Sequence, residues 1–395
     1  MREGWEYKKL GDIVSFCSGS RPQGGVGTIS EGALSLGGEH IGKDGHISLS
    51  TPKYVSLEYY TNNSKGHIED NDILLCKDGA LTGKVAILRD ELKEQKAMVN
   101  EHVFILRSVK TTQPFLFYYL YSPSGQIHLK QRISGAAQGG LNGANLKTIP
   151  IPIPPLSEQQ QIVSELDLLS SVIEKQKAQI EELDKLAQSI FYDMFGDPVE
   201  NEKGWEKKRI GDLASIKTGP FGSMLHKDDY ISNGIPLVNP MHMKDFHVVA
   251  DMDFTITEDK ANELSNYILQ KNDIIFARRG DIGRCAVISE KEEGYLCGTG
   301  SLYVRFAGAI APVYVMYIVR TDSFSQELIS KARGATMLNL NSNTIADLCI
   351  PLPPLSLQQE FAQKIEAIEA MKSKVRQSLK ESETLFNSRM DYYFN

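Results

Sequence analysis

The segment Pro154-Pro155-Leu156-Ser157-Glu158-Gln159-Gln160 precedes a long stretch with the periodicity of a coiled-coil helix. Apolar residues then recur mostly in alternating steps of four and three, at Ile162, Leu166, Leu169, Ile173, Ile180, Leu183, Ala187, Ile190 and Met194. This spacing keeps one face of a helix against a partner helix. The segment therefore predicts a long helix that packs along its length against a second one.

The same motif recurs in the second half of the chain as Pro353-Pro354-Leu355-Ser356-Leu357-Gln358-Gln359. A second apolar seam follows it at Phe361, Ile365, Ile368, Val375, Leu379, Phe386 and Tyr393. Two seams in one chain predict an intramolecular antiparallel coiled coil. Gln176 and Lys372 are polar residues within the seams, and a buried polar residue there can fix the register of the two helices. An exposed gap in the seam is the alternative interpretation.

The chain is an internal duplication of which these helices are one part. The opening Gly4-Trp5-Glu6-Tyr7-Lys8-Lys9-Leu10-Gly11-Asp12 returns as Gly204-Trp205-Glu206-Lys207-Lys208-Arg209-Ile210-Gly211-Asp212. Asn71-Asp72-Ile73 returns as Asn272-Asp273-Ile274, and Leu141-Asn142 returns as Leu340-Asn341. The segments between these anchors diverge. This pattern indicates two copies of one scaffold with related but different tasks.

Each copy predicts a globular domain followed by a long helix. Short β-rich runs bounded by Gly, Asp and Asn predict strands at 72–76, 84–88, 102–106, 273–277, 284–288 and 302–306. Helices are predicted to begin near Pro114 and Pro312, because proline suits the first helical turn. The proline-rich residues 149–155 predict an extended segment, since proline is excluded from helix interiors and central strands.

The predicted fold class is therefore α+β, with two similar globular domains separated by two long helices in a pseudo-two-fold arrangement. The predicted boundaries are 1–155 for the first globular domain, 156–196 for the first spacer helix, 197–354 for the second domain and 355–395 for the second spacer helix.

Composition indicates an ordinary globular protein of more than one domain. The 395 residues are 41% hydrophobic and 24% charged. No apolar run is long enough for a membrane span, and the first residues lack the apolar core of a signal peptide. The five cysteines are scattered and odd in number, which predicts free thiols in a reducing cytoplasm. No cysteine or histidine pair has metal-ligand spacing, so no metal is expected.

The net charge of −7 argues against a generic nucleic-acid binder. Between residues 156 and 195, however, three lysines accompany eight acidic residues. Much of the negative charge therefore lies on the first long helix and not on the globular domains. This distribution predicts a helix that acts as a spacer or docks a protein, and not one that lies along DNA.

The duplicated Gly-Trp-x-x-x-x-[Leu/Ile]-Gly-Asp opening and the two Pro-Pro-Leu-x-x-Gln-Gln motifs together resemble the specificity (S) subunit of Type I restriction–modification systems. The resemblance covers essentially the whole chain. It implies two target-recognition domains, each of which reads one half of an asymmetric bipartite target in double-stranded DNA. It also implies that the spacer helices set the gap between the half-sites and bind two methyltransferase subunits.

The resemblance implies no cofactor for this chain, because S-adenosylmethionine, ATP and magnesium belong to the methyltransferase and motor–nuclease partner subunits. The residues agree with a non-catalytic role. The chain lacks the [Asp/Asn/Ser]-Pro-Pro-[Tyr/Phe] loop of adenine methyltransferases, a Gly-x-Gly-x-x-Gly turn that opens a helix, and a phosphate-binding lysine motif. The alternative function is a coiled-coil scaffold for protein–protein interaction without DNA specificity.

Basic residues on glycine-flanked turns are the first candidates for DNA binding. They are Arg278, Arg279 and Arg284 in the second copy, and Lys77 and Lys84 in the first. Arginine suits bidentate contact with guanine or phosphate, and neighbouring glycines allow close approach of the backbone. A solvated hairpin with charges for solubility is the alternative.

A second candidate region precedes each proline-rich segment, where amide side chains could pair with adenine and basic side chains with phosphate. Its members are Lys130, Arg132, Gln138, Asn142 and Asn145 in the first copy, and Lys331, Arg333, Asn339, Asn341 and Asn343 in the second. For Asn142 and Asn341 the alternative is a helix N-cap. Asp72 and Asp273 are interpreted as turn or cap residues and not as metal ligands.

Overall fold

The computed structural model describes residues 4–22, 25, 29–93, 95–133, 139–221, 224–280, 282–308, 310–332 and 339–395. The chain divides into two compact units. The first unit comprises Met1–Lys177 with Gln377–Asn395, and the second comprises Ala178–Arg376. Each unit therefore holds one globular domain together with part of each long helix. Of the helices that the structure describes, none combines the length and apolar character needed to cross a bilayer.

The first unit contains a mixed domain of short helices and strands. Its strands are Glu6–Lys9, Val14–Ser18, Ala33–Leu36, Tyr54–Val55, Ile73–Cys76, Val85–Ile87, Ala97–Val99, Val103–Ser108 and Pro150–Ile153. Its helices are Leu10–Ile13, Leu57–Asn62, Gln113–Tyr121, Pro123–Lys130 and Gly143–Leu146, with a 3-10 turn at Gly38–His40.

The strands of the first unit form three small sheets. The largest is antiparallel and has the order Val14–Ser18, Val103–Ser108, Ile73–Cys76, Val85–Ile87. A three-stranded sheet has the order Tyr54–Val55, Ala33–Leu36, Ala97–Val99, with its second pair parallel. Glu6–Lys9 and Pro150–Ile153 form the third, two-stranded sheet.

The second unit repeats this plan. Its strands are Lys207–Arg209, Ala214–Thr218, Ile235–Val238, Met243–Lys244, His247–Val248, Thr255–Ile256, Ile274–Ala277, Cys285–Val287, Leu296–Cys297, Ser301–Phe306 and Cys349–Pro351. Its helices are Ile210–Leu213, Glu258–Glu263, Pro312–Arg320, Asp322–Lys331 and Ser342–Ala346, with 3-10 turns at Lys227–Asp229, Pro240–His242 and Ser265–Tyr267.

The sheets of the second unit have the same strand orders as those of the first. The four-stranded sheet runs Ala214–Thr218, Ser301–Phe306, Ile274–Ala277, Cys285–Val287, and the three-stranded sheet runs Thr255–Ile256, Ile235–Val238, Leu296–Cys297. A short hairpin, Met243–Lys244 with His247–Val248, is found in this copy. The predicted α+β class and the duplication are both confirmed.

The proline-rich segment is extended as predicted, and it also pairs with another strand. Pro152 lies opposite Tyr7 and Pro150 lies opposite Lys9 in an antiparallel register. A two-stranded sheet leaves one side of each strand unpaired, so the missing N–H groups of proline are tolerated there. Ile149 and Ile151 are buried in the core of the first domain. The segment therefore attaches the beginning of the long helix to its own domain.

The first glutamine of the Pro-Pro-Leu-x-x-Gln-Gln motif explains why the motif occurs at this junction. In the second unit the buried Gln358 donates from Nε2 to the Pro353 carbonyl at 2.9 Å. Its Oε1 accepts from the backbone N–H of Ala311 at 2.9 Å. Ala311 is the N-cap of the helix Pro312–Arg320, whose first donors have no partner within the helix. One side chain thus joins the extended segment, the long helix and a helix of the domain.

The first unit has the same arrangement. Gln159 is buried, and its Nε2 donates to the Pro154 carbonyl at 2.9 Å. Its Oε1 accepts from the Thr112 backbone N–H at 3.0 Å and from the Thr111 hydroxyl at 2.6 Å. Thr112 is the N-cap of the helix Gln113–Tyr121. The glutamine and its partners belong to the shared scaffold of both copies.

The two long helices are Leu156–Phe195 and Leu355–Phe394, and each unit contains an antiparallel pair of their segments. In the first unit Arg389 Nη2 donates to Glu165 at 2.9 Å, and Gln176 Nε2 donates to Ser378 Oγ at 2.9 Å. As the first helix runs from Glu165 to Gln176, its contacts on the second helix run backwards from Arg389 to Ser378. Within this unit the predicted antiparallel pairing is confirmed.

The second unit shows the same direction of pairing. Phe361 packs edge-on against Phe191 with ring centroids 5.7 Å apart. Further along, Lys372 Nζ lies 2.9 Å from Asp184 and 2.8 Å from Glu369. The Lys372 side chain is 4% exposed, so the prediction of a buried polar seam residue is confirmed at this position. An ion pair of this kind disfavours shifted registers, because a shift would leave the buried ammonium unpaired.

Burial along the seams follows the globular domains. Six predicted seam residues are buried, namely Ile162, Leu166, Ala187, Phe361, Ile365 and Ile368. The remaining members are partly exposed, namely Leu169, Ile173, Ile180, Leu183, Ile190, Met194, Val375, Leu379, Phe386 and Tyr393. The buried members pack into the cores of the two domains. Near the domains each helix is therefore held by a domain as well as by its partner helix.

Replacement of Gln358 by leucine is expected to lower the free energy of unfolding by about 1–3 kcal/mol, because the Pro353 carbonyl and the Ala311 N–H would be buried without partners. Urea unfolding monitored by circular dichroism measures this change. Gln359→Leu is the matched control, since Gln359 is exposed and the same substitution there is expected to have little effect. Equal effects at both positions would contradict the proposed role of Gln358.

The pH dependence of stability gives a second test. Burial opposes ionisation of Glu369, but hydrogen bonds from His247 and Lys372 outweigh it and lower the pKa of Glu369 to about 2. A carboxyl whose pKa is lower in the folded state stabilises the fold above its ordinary pKa, and this contribution is lost as the pH falls towards 2.

Glu369→Gln is therefore expected to destabilise the protein at pH 7 and to reduce the loss of stability between about pH 5 and pH 3. Urea unfolding at intervals over this range measures both effects. Glu360→Gln, at an exposed position of the same helix, is the control. A pH profile of Glu369→Gln that parallels the wild-type profile would contradict the assigned pKa.

Candidate nucleic-acid interface

The basic turn of the second unit, residues 278–284, connects strands Ile274–Ala277 and Cys285–Val287 as predicted. Arg278 is only 8% exposed, and its Nε donates to the Leu340 carbonyl at 3.3 Å. The backbone N–H of Leu340 donates in turn to the Arg278 carbonyl at 2.8 Å. Burial, together with the neighbouring Arg279 guanidinium, lowers the pKa of Arg278. Arg278 thus attaches the segment at Leu340 to the end of the strand.

Arg279 is exposed. Its backbone forms an isolated β-bridge with Asn339, which fixes where the side chain emerges. Gly280 follows with a φ of 79°, a left-handed conformation that glycine adopts without strain. Within the described part of the chain, the Arg279 guanidinium has no hydrogen-bond or ion-pair partner. Arg279 is therefore available for an external ligand.

Arg284, the third predicted arginine, is half-buried and supports a neighbouring loop. Its Nη1 donates to the Pro240 carbonyl at 3.1 Å, at the 3-10 turn Pro240–His242. The three arginines predicted together thus occupy three environments. Arg278 and Arg284 hold loops in place, whereas Arg279 faces solvent.

A cavity of about 610 Å³ lies beside Arg279 in the second unit. Phe221 and Phe254 line it and are 62% and 37% exposed, respectively. Lys227 also lines it and has no ion-pair partner among the described residues. Exposed aromatic rings beside unpaired cations are the combination that nucleic-acid-binding surfaces use for bases and phosphates. Composition alone did not identify this cavity, because its lining residues are far apart in the sequence.

The corresponding turn of the first unit differs in charge. Asp78 occupies the position of Arg279, because Asp78 forms the matching β-bridge, with Gly140. The Asp78 carboxylate contacts His102 Nδ1 at 2.6 Å, and His102 Nε2 lies 3.3 Å from Glu101. Glu101 also pairs with Arg21 at 2.9 Å. The exposed position of this turn is therefore acidic and is already engaged.

The two predicted lysines of this turn are half-buried and contact their own domain. Lys77 Nζ lies 3.4 Å from Ser18 Oγ and 5.0 Å from the centre of the Phe104 ring. Lys84 Nζ donates to the Ile41 carbonyl at 3.4 Å. These contacts give each lysine a structural role, and DNA binding by either stays a prediction.

Two asparagines of the second candidate region cap short helices. Asn142 Oδ1 accepts from the Asn145 N–H at 2.7 Å, and Asn341 Oδ1 accepts from the Thr344 N–H at 2.8 Å. The helix-cap interpretation is confirmed for both. Asn343 lies on the second of these helices and is exposed.

The remaining members of this region are dispersed. Lys130 is exposed, Lys331 pairs with Glu327 at 2.6 Å, and Arg132 Nη1 contacts Gln131 at 3.1 Å. Asn339 Oδ1 is buried without a hydrogen-bond partner among the described residues. Gln138 and Arg333 lie outside the described residues. The structure brings Asn339 next to Arg279 and leaves the role of this region in DNA binding a prediction.

Asp72 and Asp273 are turn residues, as interpreted from the sequence, and each also has a strong partner. Arg107 Nε and Nη2 donate to the two Asp72 oxygens at 2.6 and 2.7 Å. Arg305 does the same for Asp273 at 2.8 and 2.6 Å. Bidentate pairs of this kind are geometrically specific. Their arginines lie at matching strand positions in the two copies, which is the signal that could have identified them.

No group of acidic, histidine and cysteine residues within the described ranges has the geometry of a metal site. The expectation that Asp72 and Asp273 serve structure rather than metal binding is consistent with their arginine partners. The described part of the candidate interface therefore consists of side chains that bind through hydrogen bonds, charge and aromatic contact.

Comparison with known families identifies the class of the protein. The family model for the Type I restriction modification DNA specificity domain matches residues 2–185 and again residues 202–381. The chain belongs to this family and contains two copies of the domain. The Type I restriction enzyme MjaVIII specificity subunit of Methanocaldococcus jannaschii is 23% identical over 388 residues, which cover 93% of this chain and 86% of that protein.

Solved structures show the same fold. The S subunit of a Type I restriction–modification system from M. genitalium superposes with a TM-score of 0.58 at 14% identity, covering 98% of this chain and 95% of the other. A chain from a structure that addresses complex assembly and conformational transition of the type I R-M system has a TM-score of 0.55 at 18% identity, covering 100% and 98% of the two chains. The resemblance inferred from the motifs is confirmed.

The different environments of Arg278 and Arg279 predict different effects of the same substitution. Arg278→Ala is expected to lower the free energy of unfolding by about 1–3 kcal/mol, because it removes a buried side chain and its hydrogen bond to the Leu340 carbonyl. Arg279→Ala is expected to change it by less than about 0.5 kcal/mol, since the side chain is exposed. Thermal or urea unfolding of the two variants provides the measurement, and equal losses would contradict the assignment.

Proposed function

We propose that this chain is the sequence-reading subunit of a Type I restriction–modification complex, in which each globular domain reads one half of an asymmetric bipartite DNA target. The observation that carries the proposal is the presence of two DNA specificity domains in one chain. Relatives over almost the whole length are named specificity subunits of Type I restriction enzymes. The aromatic and basic cavity of the second domain supports the proposal.

The two domains read different sequences in this proposal. Their sheets share one strand order, whereas the position after the matching strand is the half-buried Asp78, paired with His102, in one and the exposed Arg279 in the other. A carboxylate accepts hydrogen bonds from amino groups of bases, and a guanidinium donates to base acceptors. The same scaffold with opposite charge at this position supports an asymmetric target.

The long helices act as the spacer between the half-sites. Each has 40 residues, which corresponds to about 60 Å at ~1.5 Å per residue. The buried contacts of Lys372 in the second unit, and the contact between Gln176 and Ser378 in the first, support one fixed register. A fixed register defines the spacer length and hence the tolerated gap.

Two methyltransferase subunits are the proposed partners of the helices, and motor–nuclease subunits join through them. Several large apolar side chains on the helices are exposed, namely Leu168, Leu186, Met371 and Leu385. Exposed apolar side chains on helices that carry no excess of basic residues suit docking of proteins better than contact with DNA. In this proposal the chain has no catalytic residues, and its partners bind S-adenosylmethionine, ATP and magnesium.

Co-expression with methyltransferase subunits tests the function. The expected result is a complex of two methyltransferase subunits and one copy of this chain that methylates adenines at an asymmetric bipartite sequence. Mapping of methylated adenines with and without this chain provides the measurement. A stable complex that methylates without sequence preference would instead support the alternative, an interaction scaffold without DNA specificity.

The spacer proposal predicts a change of gap without a change of bases. One heptad is inserted after Gln176 and a second before Ser378, because these residues contact each other and both helices must lengthen together. The coil then grows by about 10 Å, and the tolerated gap should increase by about 3 base pairs at ~3.4 Å each. The sequence of the methylated target shows the length of the gap and the recognised bases separately.

Insertion in only one of the two helices is the control for this experiment. The seven inserted residues then have no partner residues in the unchanged helix. Loss of stability and of specific methylation is therefore expected. New bases at an unchanged gap in the doubly extended variant would refute the spacer role.

A further inference from the structure

The duplication separates residues that maintain the scaffold from residues that are free to recognise a ligand. Gly19 and Gly219 occupy matching positions, and a Cβ at either would lie within 2 Å of a backbone oxygen, Val99 O at 1.6 Å or Gly298 O at 1.9 Å. Such positions are the same in both copies because the scaffold admits no side chain there. A position that is exposed and differs between the copies has no such constraint.

Arg279 and Asp78 occupy one such position, as the surrounding hydrogen bonds show. The backbone N–H of Arg278, which precedes Arg279, donates to the Gly300 carbonyl at 2.9 Å. The backbone N–H of Lys77, which precedes Asp78, donates to the His102 carbonyl at 2.9 Å. Gly300 therefore stands where the first domain has His102. In the first domain the His102 ring fills this space and binds Asp78. In the second domain Gly300 has no side chain that could bind Arg279, and both residues line the cavity described above.

The residues that line this cavity offer three kinds of chemistry. Arg279 contributes hydrogen-bond donors that have no partner among the described residues, and Lys227 contributes an exposed cation. Phe221 contributes an exposed aromatic face. Phe254 is held edge-on against Tyr230 with ring centroids 6.0 Å apart, so its face is oriented before a ligand arrives.

One carboxylate also lines the cavity. Asp253 accepts a hydrogen bond from Ser232 Oγ at 3.2 Å. Lys227, Arg278 and Arg279 line the same cavity, so positive charge exceeds negative charge among its described lining residues. A ligand with acceptor atoms fits this surface better than a ligand with donors.

We propose that this cavity receives the edge of a guanine in the half-site of the second domain, with Arg279 as the residue that specifies it. Guanine presents O6 and N7 in the major groove, and the two-donor fork of arginine matches both acceptors. Phe221 packs on the adjacent base, and Lys227 binds the phosphate backbone. The inference rests on the proposed function and adds to it the base, the half-site and the residue.

The test uses the complex assembled from this chain and methyltransferase subunits, with the methylated sequence read across a random DNA library. Arg279→Ala is expected to relax the preference for one guanine by about tenfold to a hundredfold, in one half-site only. The other half-site and the gap should remain unchanged. Phe221→Ala is expected to weaken the preference at the neighbouring base pair.

Two further variants make the interpretation specific. Arg279→Lys keeps the charge but loses the two-donor fork, so it should also relax the guanine preference. Lys271→Ala is the matched control for loss of one positive charge. Lys271 is exposed and precedes the strand Ile274–Ala277, whereas the basic turn follows that strand. This control should leave the motif unchanged. Thermal unfolding of each variant shows that the fold is retained.

Three results would overturn the inference. The first is a guanine preference that survives in Arg279→Ala, and the second is a preference that survives in full in Arg279→Lys. The third is an equal loss of methylation for all sequences in Arg279→Ala, as loss of a phosphate contact would cause. Failure of the proposed function has a different signature, since the wild-type complex itself would then show no bipartite motif.

Discussion

A single buried glutamine at the start of each long helix is the interaction on which the rest of the structure depends. Gln159 and Gln358 each hold a proline carbonyl on one side and a helix N-cap on the other. An amide can do this because it offers a donor and an acceptor at once, and both are satisfied without water. The direction in which the long helix leaves its domain is thereby fixed in both copies.

The scaffold around these glutamines is maintained by interactions that repeat in both copies, and the proposed recognition uses positions that differ between them. Asp72 with Arg107 and Asp273 with Arg305 are nearly identical bidentate pairs at the ends of matching strands. At the turn after the matching strand the copies diverge: Asp78 of the first copy pairs with His102, whereas the Arg279 guanidinium of the second has no partner among the described residues. A protein built in this way can change the bases that it reads without disturbing the core, because the variable side chains contribute little to folding.

Charge follows the same division between structure and function. The net negative charge that argued against DNA binding is concentrated on the first long helix, whereas the cavity of the second domain is basic. Buried ion pairs such as Lys372 with Asp184 and Glu369 stabilise less than an apolar seam would, but they penalise shifted registers strongly. For a pair of helices proposed to measure a distance, register matters more than stability.

The sequence by itself determined the duplication, the paired long helices and the family, because repeated motifs and a seam with a regular period are local in the chain. For Asn142 and Asn341 it offered a helix cap as the alternative to DNA contact, and the structure shows the caps. Only the tertiary structure distinguished Arg278, which is buried against Leu340, from Arg279, which is exposed. Burial and cavity formation depend on segments distant in sequence, such as those that bring Phe221 and Gly300 to one cavity, and no local pattern encodes such contacts.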